Sequence, residues 1–268
     1  MLERAQTLAG RHAARAAVAD IAPDAAVYAR LTMGDDDVTA WRVDDALLWS
    51  GAGPWGPVVC ALGSPSTCLA LARAVLDAGA VVRPRWVHLP RTATSDVAAH
   101  LTVTAQDDWD FRWVAAAVPA HPAESRVVRL HDADLPAVEA LLADAFPSTT
   151  TRPGDPRVLG WYGIRSGDAL VAVGADRSRG GVGFLAGLTV ATDRRGEGLG
   201  TALTTAMTRS LGARYGDVGL GVIADNLAAS RLYARLGFTA TLTRSSVAPA
   251  CGLPKASSLN GVGHGQAG

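Results

Sequence analysis

Leu185-Ala186-Gly187-Leu188-Thr189-Val190-Ala191-Thr192-Asp193-Arg194-Arg195-Gly196-Glu197-Gly198-Leu199-Gly200 is the stretch that decides the fold of this chain. An apolar run of β-forming residues, Phe184 to Val190, ends in the polar Thr192 to Arg195, and three alternate glycines lead into a helical pattern. The spacing predicts a strand, a glycine-rich loop and a helix. Glycine lets backbone approach a ligand without a Cβ in the way, and the first turn of a helix presents unpaired N–H groups at the positive end of its dipole. Such a loop binds phosphate.

Working outward, Leu199, Ala202, Leu203, Ala206, Met207 and Leu211 recur at three and four, so the helix buries one face and its first turn is fixed. Upstream, Val158–Arg165 and Ala169–Gly174 read as a hairpin across Ser166-Gly167-Asp168, and Arg177–Gly181 turns the chain into the key strand. Downstream, the strand-like Val218–Ile223 precedes Ala224-Asp225-Asn226-Leu227-Ala228-Ala229-Ser230-Arg231-Leu232-Tyr233-Ala234-Arg235-Leu236-Gly237-Phe238. Arg126–Leu130 is a short strand, and His131-Asp132-Ala133-Asp134 opens a helix bearing Leu135, Val138, Leu141 and Leu142, with Asp132 as candidate cap.

Arg195-Gly196-Glu197-Gly198-Leu199-Gly200 fits Arg-x-x-Gly-x-Gly and resembles the pyrophosphate loop of the GNAT acyltransferases. The Asn226, Leu232-Tyr233 and Gly237-Phe238 series resembles that family's second signature, in the right order, and the likeness covers Arg126 to Val247. The resemblance implies a mixed, mostly antiparallel α/β sheet flanked by helices, with acetyl-coenzyme A as co-substrate. It implies backbone donors near Leu188, Thr189 and Val190, a diphosphate held by Arg195, Gly196, Gly198, Leu199 and Gly200, Asn226 near the coenzyme arm, and Tyr233 as the acid that protonates the departing sulfur. A tyrosine of ordinary pKa about 10 carries that proton at neutral pH. Glu197 is read as a helix-dipole partner or surface residue. Phe146 to Arg157 is where the acceptor amine would be met. Arg177 and Arg179 are read as a solvated turn, with contact to the coenzyme's diphosphate or ribose phosphate as the alternative. Many relatives carry a glutamate on the strand before the loop, yet Gly180–Val190 holds no acid. Water, an amine of low pKa, Asp144 or His131 are open as routes for the amine proton. A sensor or scaffold that binds the coenzyme without turnover is the alternative function. A dinucleotide-binding domain is a weaker third, since no acid ends a strand some twenty residues on.

The first half is less explicit. Leu2 to Ala16 has helical spacing, Val27–Thr32 and Ala46–Trp49 read as strands around the acidic turn Gly34–Asp37, and that turn is read as solvated rather than metal-binding. Val58–Leu62 is a buried strand, followed by a helix from Thr67 to Ala78, capped by Ser64 or Ser66 and stopped by Gly79. Val81–Leu89, Leu101–Thr104 and Trp109–Trp113 suggest further strands. Trp109, Phe111 and Trp113 are read as core, with the wall of a substrate pocket as the alternative. Lacking the arginine and alternating glycines, the Gly63 turn is not expected to hold a second coenzyme. The expected organisation is an N-terminal α/β lobe, 1–123, non-catalytic and a candidate degenerate copy; a GNAT-like domain, 124–247; and a disordered tail, 248–268.

Composition narrows the partners. In 268 residues, 25 basic and 25 acidic side chains balance, so no global field draws the chain to nucleic acid or anionic membrane. The apolar stretches break well short of a membrane span, and Met1–Ala22 has no signal-peptide core. Cys60, Cys68 and Cys251 suggest neither disulfides nor a metal site. A cytoplasmic monomer or homodimer acting on a small-molecule or peptide amine is expected.

Overall fold

The two halves of the chain repeat one order of elements. In the computed structural model, which describes residues 1–53, 56–115 and 118–250, the first half runs β1 (Gln6–Ala9), α1 (Arg11–Ile21), α2 (Ala26–Met33), β2 (Thr39–Val43), β3 (Ala46–Gly53), β4 (Gly56–Leu62), α3 (Pro65–Asp77), β5 (Trp86–Pro90), α4 (Thr94–His100) and β6 (Val103–Val114). The second half runs β7 (Val128–Leu130), α5 (Leu135–Ala145), β8 (Gly160–Ser166), β9 (Ala169–Asp176), β10 (Gly183–Val190), α6 (Leu199–Tyr215), β11 (Val218–Ile223), α7 (Leu227–Arg235) and β12 (Ala240–Pro249). No helix among the described residues is long and apolar enough to cross a membrane.

All twelve strands form one sheet in the order β1-β2-β3-β4-β5-β12-β6-β11-β10-β9-β8-β7. Its ladders are antiparallel except β4–β5 and β10–β11, each joined by a crossover helix, α3 or α6. The halves interlock. β6 of the first half lies between β11 and β12, while β12 of the second lies between β5 and β6, so each half lends the strand that completes the other's sheet. Trp109 opposes Arg244 in the β6–β12 pair, where the approximate two-fold relation between the halves has its axis.

Helices cover both faces. α6 packs Leu199, Leu203, Met207 and Leu211 on Leu185 and Leu220, while α5 covers the opposite face through Val138 and Leu142 on Trp161, Val173 and Ala175. In the first half α3 occupies the place of α6, and α1 with α2 that of α5. The end of α3 is a Schellman stop: Gly79 has φ +66°, its N–H bonds Leu76 O and the Ala80 N–H bonds Val75 O.

Several sequence expectations give way here. Gln6–Ala9 is an edge strand on β2, and Gly10, with φ +83°, separates it from α1, so the helix expected from Leu2 begins only at Arg11. Val27–Thr32 is not a strand but part of α2, because burying Tyr28, Ala29 and Met33 outweighs its β-forming composition. β2, α4 and β12 carried no sequence expectation, and of Val81–Leu89 only the end is strand. Val103-Thr104, the end of the first of the two remaining segments, and Trp109–Trp113 belong to one strand, β6. Asp134, not Asp132, closes the start of the α5 region by accepting the His131 N–H at 2.7 Å. Ala248 and Pro249 belong to β12 rather than to a tail; Cys251 and the rest of that segment lie outside the described residues.

His88 on β5 meets Ser246 Oγ through Nδ1 at 2.6 Å. Burial first, and the charge of Arg244 second, push its pKa down to about 3. The folded chain keeps this imidazole neutral where the unfolded chain, titrating near pH 6.5, accepts a proton. Its contribution to stability is complete above about pH 6.5 and is lost as pH falls toward 3, by up to ~1.4 kcal/mol per pH unit. Urea unfolding between about pH 7 and 4 is expected to show that decline, and His88→Gln to flatten it.

Candidate active site

β10 and β11 pair only from Gly183–Val218 to Leu185–Leu220, and then part. The cause lies on the other side of β10. Its register with β9 slips between Ala186 and Thr189, so Gly187 and Leu188 oppose the single residue Gly174. Gly187 sits at φ +58°, and a Cβ on Gly174 would stand 2.7 Å from Leu188 Cδ2, so two glycines make this bulge possible. Beyond it, the backbone of Leu188 to Val190 faces an opening instead of a neighbouring strand.

That opening is a cavity of about 710 Å³. It is lined by every residue the sequence nominates for the coenzyme and the departing sulfur: Leu188, Thr189 and Val190 from β10, Arg195, Gly196 and Gly198 from the loop, Leu199 and Gly200 from the first turn of α6, then Asn226 and Tyr233. Gly196 has φ +86° and Gly198, the N-cap of α6, φ +76°; a Cβ on either would meet nothing within 4 Å. The space side chains would take is left for a ligand, and the α6 N-terminus faces it, which suits a diphosphate.

The charges are sorted. Arg194 clasps Glu197 with two bonds, Nε–Oε1 at 2.7 Å and Nη2–Oε2 at 2.9 Å, lowering the carboxyl pKa and raising that of the guanidinium. Glu197 is thereby spent on its neighbour. Arg195 has no carboxylate partner among the described residues; it donates to Ala145 O at the end of α5 at 3.3 Å, standing across the cavity mouth. Asn226 caps α7, its Oδ1 accepting the Ala229 N–H at 3.1 Å. Tyr233, 8 % exposed, packs edge-on to Phe238, and burial pushes its pKa up to about 12. It is a proton donor throughout the neutral range.

No acidic residue lines this cavity among the described residues. His131 lies instead in a separate cavity of about 610 Å³ with Asp132, Asp155 and Trp161, and Asp144 is exposed, so neither faces Tyr233. Phe146, the first residue of the segment expected to meet the acceptor, also lines this cavity, with Thr201, Ala229, Leu232 and Arg235. Of these, Ala229 and Leu232 share the helical stripe of Tyr233 and were visible as core; Arg235 had no distinguishing signal. Arg177 and Arg179 are not a solvated turn. Arg179 packs against Gly34 and pairs with Asp36, so the acidic turn docks on this hairpin, and Arg177 is half-buried against Thr151.

Residues 161–247 match the family model FR47-like protein. A solved structure from Novosphingobium aromaticivorans assigned to the GNAT acetyltransferases is 22% identical, with TM-score 0.54, over 75% of this chain and 86% of its own. The C-terminal half has the GNAT fold. GCN5-related N-acetyltransferases from Sphaerobacter thermophilus (16% identical, TM-score 0.54, 91% of this chain and 94% of theirs) and Kribbella flavida (19%, 0.52, 89% and 96%) resemble the GNAT-fold half and the first half together. No curated protein matches the sequence.

Gly198→Val forces a β-branched residue into a left-handed cap, a strain of about 1–2 kcal/mol, and fills the glycine loop. Acetyl-coenzyme A at about a hundred times its Kd is expected to stabilise the wild type by ~2.7 kcal/mol in thermal unfolding and to leave Gly198→Val unmoved.

Proposed function

We propose that this chain transfers an acetyl group from acetyl-coenzyme A to a primary amine. The observation that carries the reading is the convergence, on one cavity, of an open glycine cradle at a helix N-terminus, a bulged strand with unpaired backbone, and a buried protonated tyrosine. Gly196, Gly198 and the first N–H groups of α6 would hold the diphosphate, with Arg195 beside them. The coenzyme supplies the activated acyl group. The N–H groups that the parted strand turns toward the gap between Leu188 and Val190 would be fixed donors for the charge that develops on the acyl oxygen, and stabilisation of that kind needs no rearrangement during the reaction. Tyr233 holds the proton that the leaving sulfur requires.

The amine must arrive neutral. With no acid at the cavity among the described residues, its proton leaves to water rather than to a fixed enzyme base.

The first half is assigned a supporting part. Its β4–β5 pair also stops early, after Cys60–His88, but that gap is closed. Arg244, 1 % exposed, donates Nη2 to both Ala61 O and His88 O at 2.7 Å and stacks 4.6 Å from the Tyr28 ring centre. At the strand end a Cβ on Gly63 would stand 1.9 Å from Asp45 O, so the turn has no room for a ligand. Residues 1–123 thus brace the acceptor side of the 124–247 domain without catalysis of their own.

Tyr233→Phe is expected to leave the Kd for acetyl-coenzyme A unchanged and to lower kcat by about 10²-fold, read as release of free thiol. The wild-type kcat is expected to show no alkaline decline below about pH 10. Across amines of different pKa, the rising limb of kcat/KM is expected to track the amine; a limb fixed in place would mean an enzyme base.

A further inference from the structure

The proposal concerns the other face of the bulge and rests on the acetyl-transfer reading. Ala175 and Ala186 pair across β9 and β10 and face α5, and Arg177, two residues on, emerges on that same face, opposite α6. Its Nη1 donates to Thr151 Oγ1 at 3.3 Å. Thr151, 3 % exposed, sits with Cβ and Cγ2 each 3.4 Å from where a Cβ on Gly187 would be, so one side chain separates the guanidinium from the bulge.

Arg177 is out of balance with its surroundings. Burial, and then the charge of Arg157, depress its pKa to about 10, with the charge of Asp155 opposing them only in part. Its neighbours are already matched: Arg157 clasps Asp155 with Nε and Nη2 at 2.9 and 2.7 Å, and Arg179 holds Asp36. Arg177 forms no ion pair among the described residues, and its Nε–H is shut off from solvent without an acceptor. Arg15 and Arg244 also form no ion pair among the described residues and have an Nε–H without an acceptor, but Arg15 donates to Gly34 O at 2.7 Å, and Arg244 donates Nη2 to two carbonyls at 2.7 Å and lies on an aromatic ring. Arg177 has one long bond. An uncompensated buried cation is costly unless something negative completes it, and a guanidinium edge matches a carboxylate with two parallel bonds.

We propose that Arg177 receives the carboxylate of the acetyl acceptor, which makes that acceptor an amino-carboxylate such as a free amino acid rather than a simple amine. The coenzyme lies on the α6 side of the parted strands, the acceptor would enter from the α5 side, and Arg177 with Thr151 would anchor its acid so that the amine meets the bulge.

The test compares glycine, alanine and phenylalanine with their carboxamides, following thiol release from acetyl-coenzyme A. Wild type is expected to favour the carboxylates by about 10²-fold or more in kcat/KM. Arg177→Gln is expected to bring that ratio near one, mainly by raising the acceptor KM, with the Kd for acetyl-coenzyme A unchanged, and Arg177→Lys to restore part of it. Carboxamides as good as acids in wild type, or a ratio untouched by Arg177→Gln, overturns the proposal. An independent reading needs no turnover. Arg177→Met removes a desolvated charge that forms no ion pair among the described residues, so its Tm should equal or exceed the wild type's; a fall of several degrees would make Arg177 a structural residue and overturn the assignment. Failure of acetyl-coenzyme A to stabilise the wild type would sink acetyl transfer itself, a result distinct from either of these.

Discussion

Two parallel strands that must stop pairing are the constraint behind the site. In most sheets an unpaired strand end is a liability, because its N–H and C=O groups lose water without gaining partners. Here the parting of β10 from β11 is imposed by the bulge at Gly187 and Leu188, and that bulge needs Gly174 to be small. The side chain of Leu188 fills the space that a Cβ on Gly174 would take, against Met207 of α6. Packing on one face therefore fixes backbone direction on the strand, and backbone direction opens the cavity. α6 completes the arrangement: held by Leu203, Met207 and Leu211, it cannot move its N-terminus away from the gap.

The first half has the same architecture and the opposite outcome. The corresponding gap between β4 and β5 is filled by Arg244, from a strand belonging to the other half. The closure works because guanidinium donors are numerous enough to serve two carbonyls at once while the plane lies on Tyr28. Because β6 and β12 are exchanged between halves, neither sheet is complete alone. The internal repeat is a structural dependence as well as a likeness.

What could be read from sequence was what is local. The glycine loop, the stripe of α6 and the hairpin β8–β9 each rest on spacing within a dozen or so residues, and the residues nominated for the coenzyme surround one cavity. The failures are tertiary. Tyr28 belongs to a helix because it is needed under Arg244, a residue more than two hundred positions away. β12 escaped notice because Arg244, Ser245 and Ser246 look like loop, whereas in the centre of a sheet they serve hydrogen bonds, buried or half-buried, to His88, Thr92, Asp108 and Trp109. Arg177 read as solvated since nothing in its flanking Asp176 and Ser178 reveals that a loop of Thr and Pro closes over it.

Charge allocation around the parted strand follows one rule. Arg194 is given Glu197, Arg157 is given Asp155 and Arg179 is given Asp36, and each pair leaves its neighbourhood near neutral. Arg195 and Arg177 are given none. The first stands at the cavity mouth on the α6 side, where phosphate charge would enter; the second lies behind Thr151 on the α5 side. A surface arginine can be left single because water completes it, but a desolvated one destabilises the fold that holds it. Selection for stability alone would pair Arg177 or replace it, as it has paired the three beside it. That the fold tolerates the imbalance one side chain away from the bulge is the reason to place the missing negative charge on the substrate rather than on the protein.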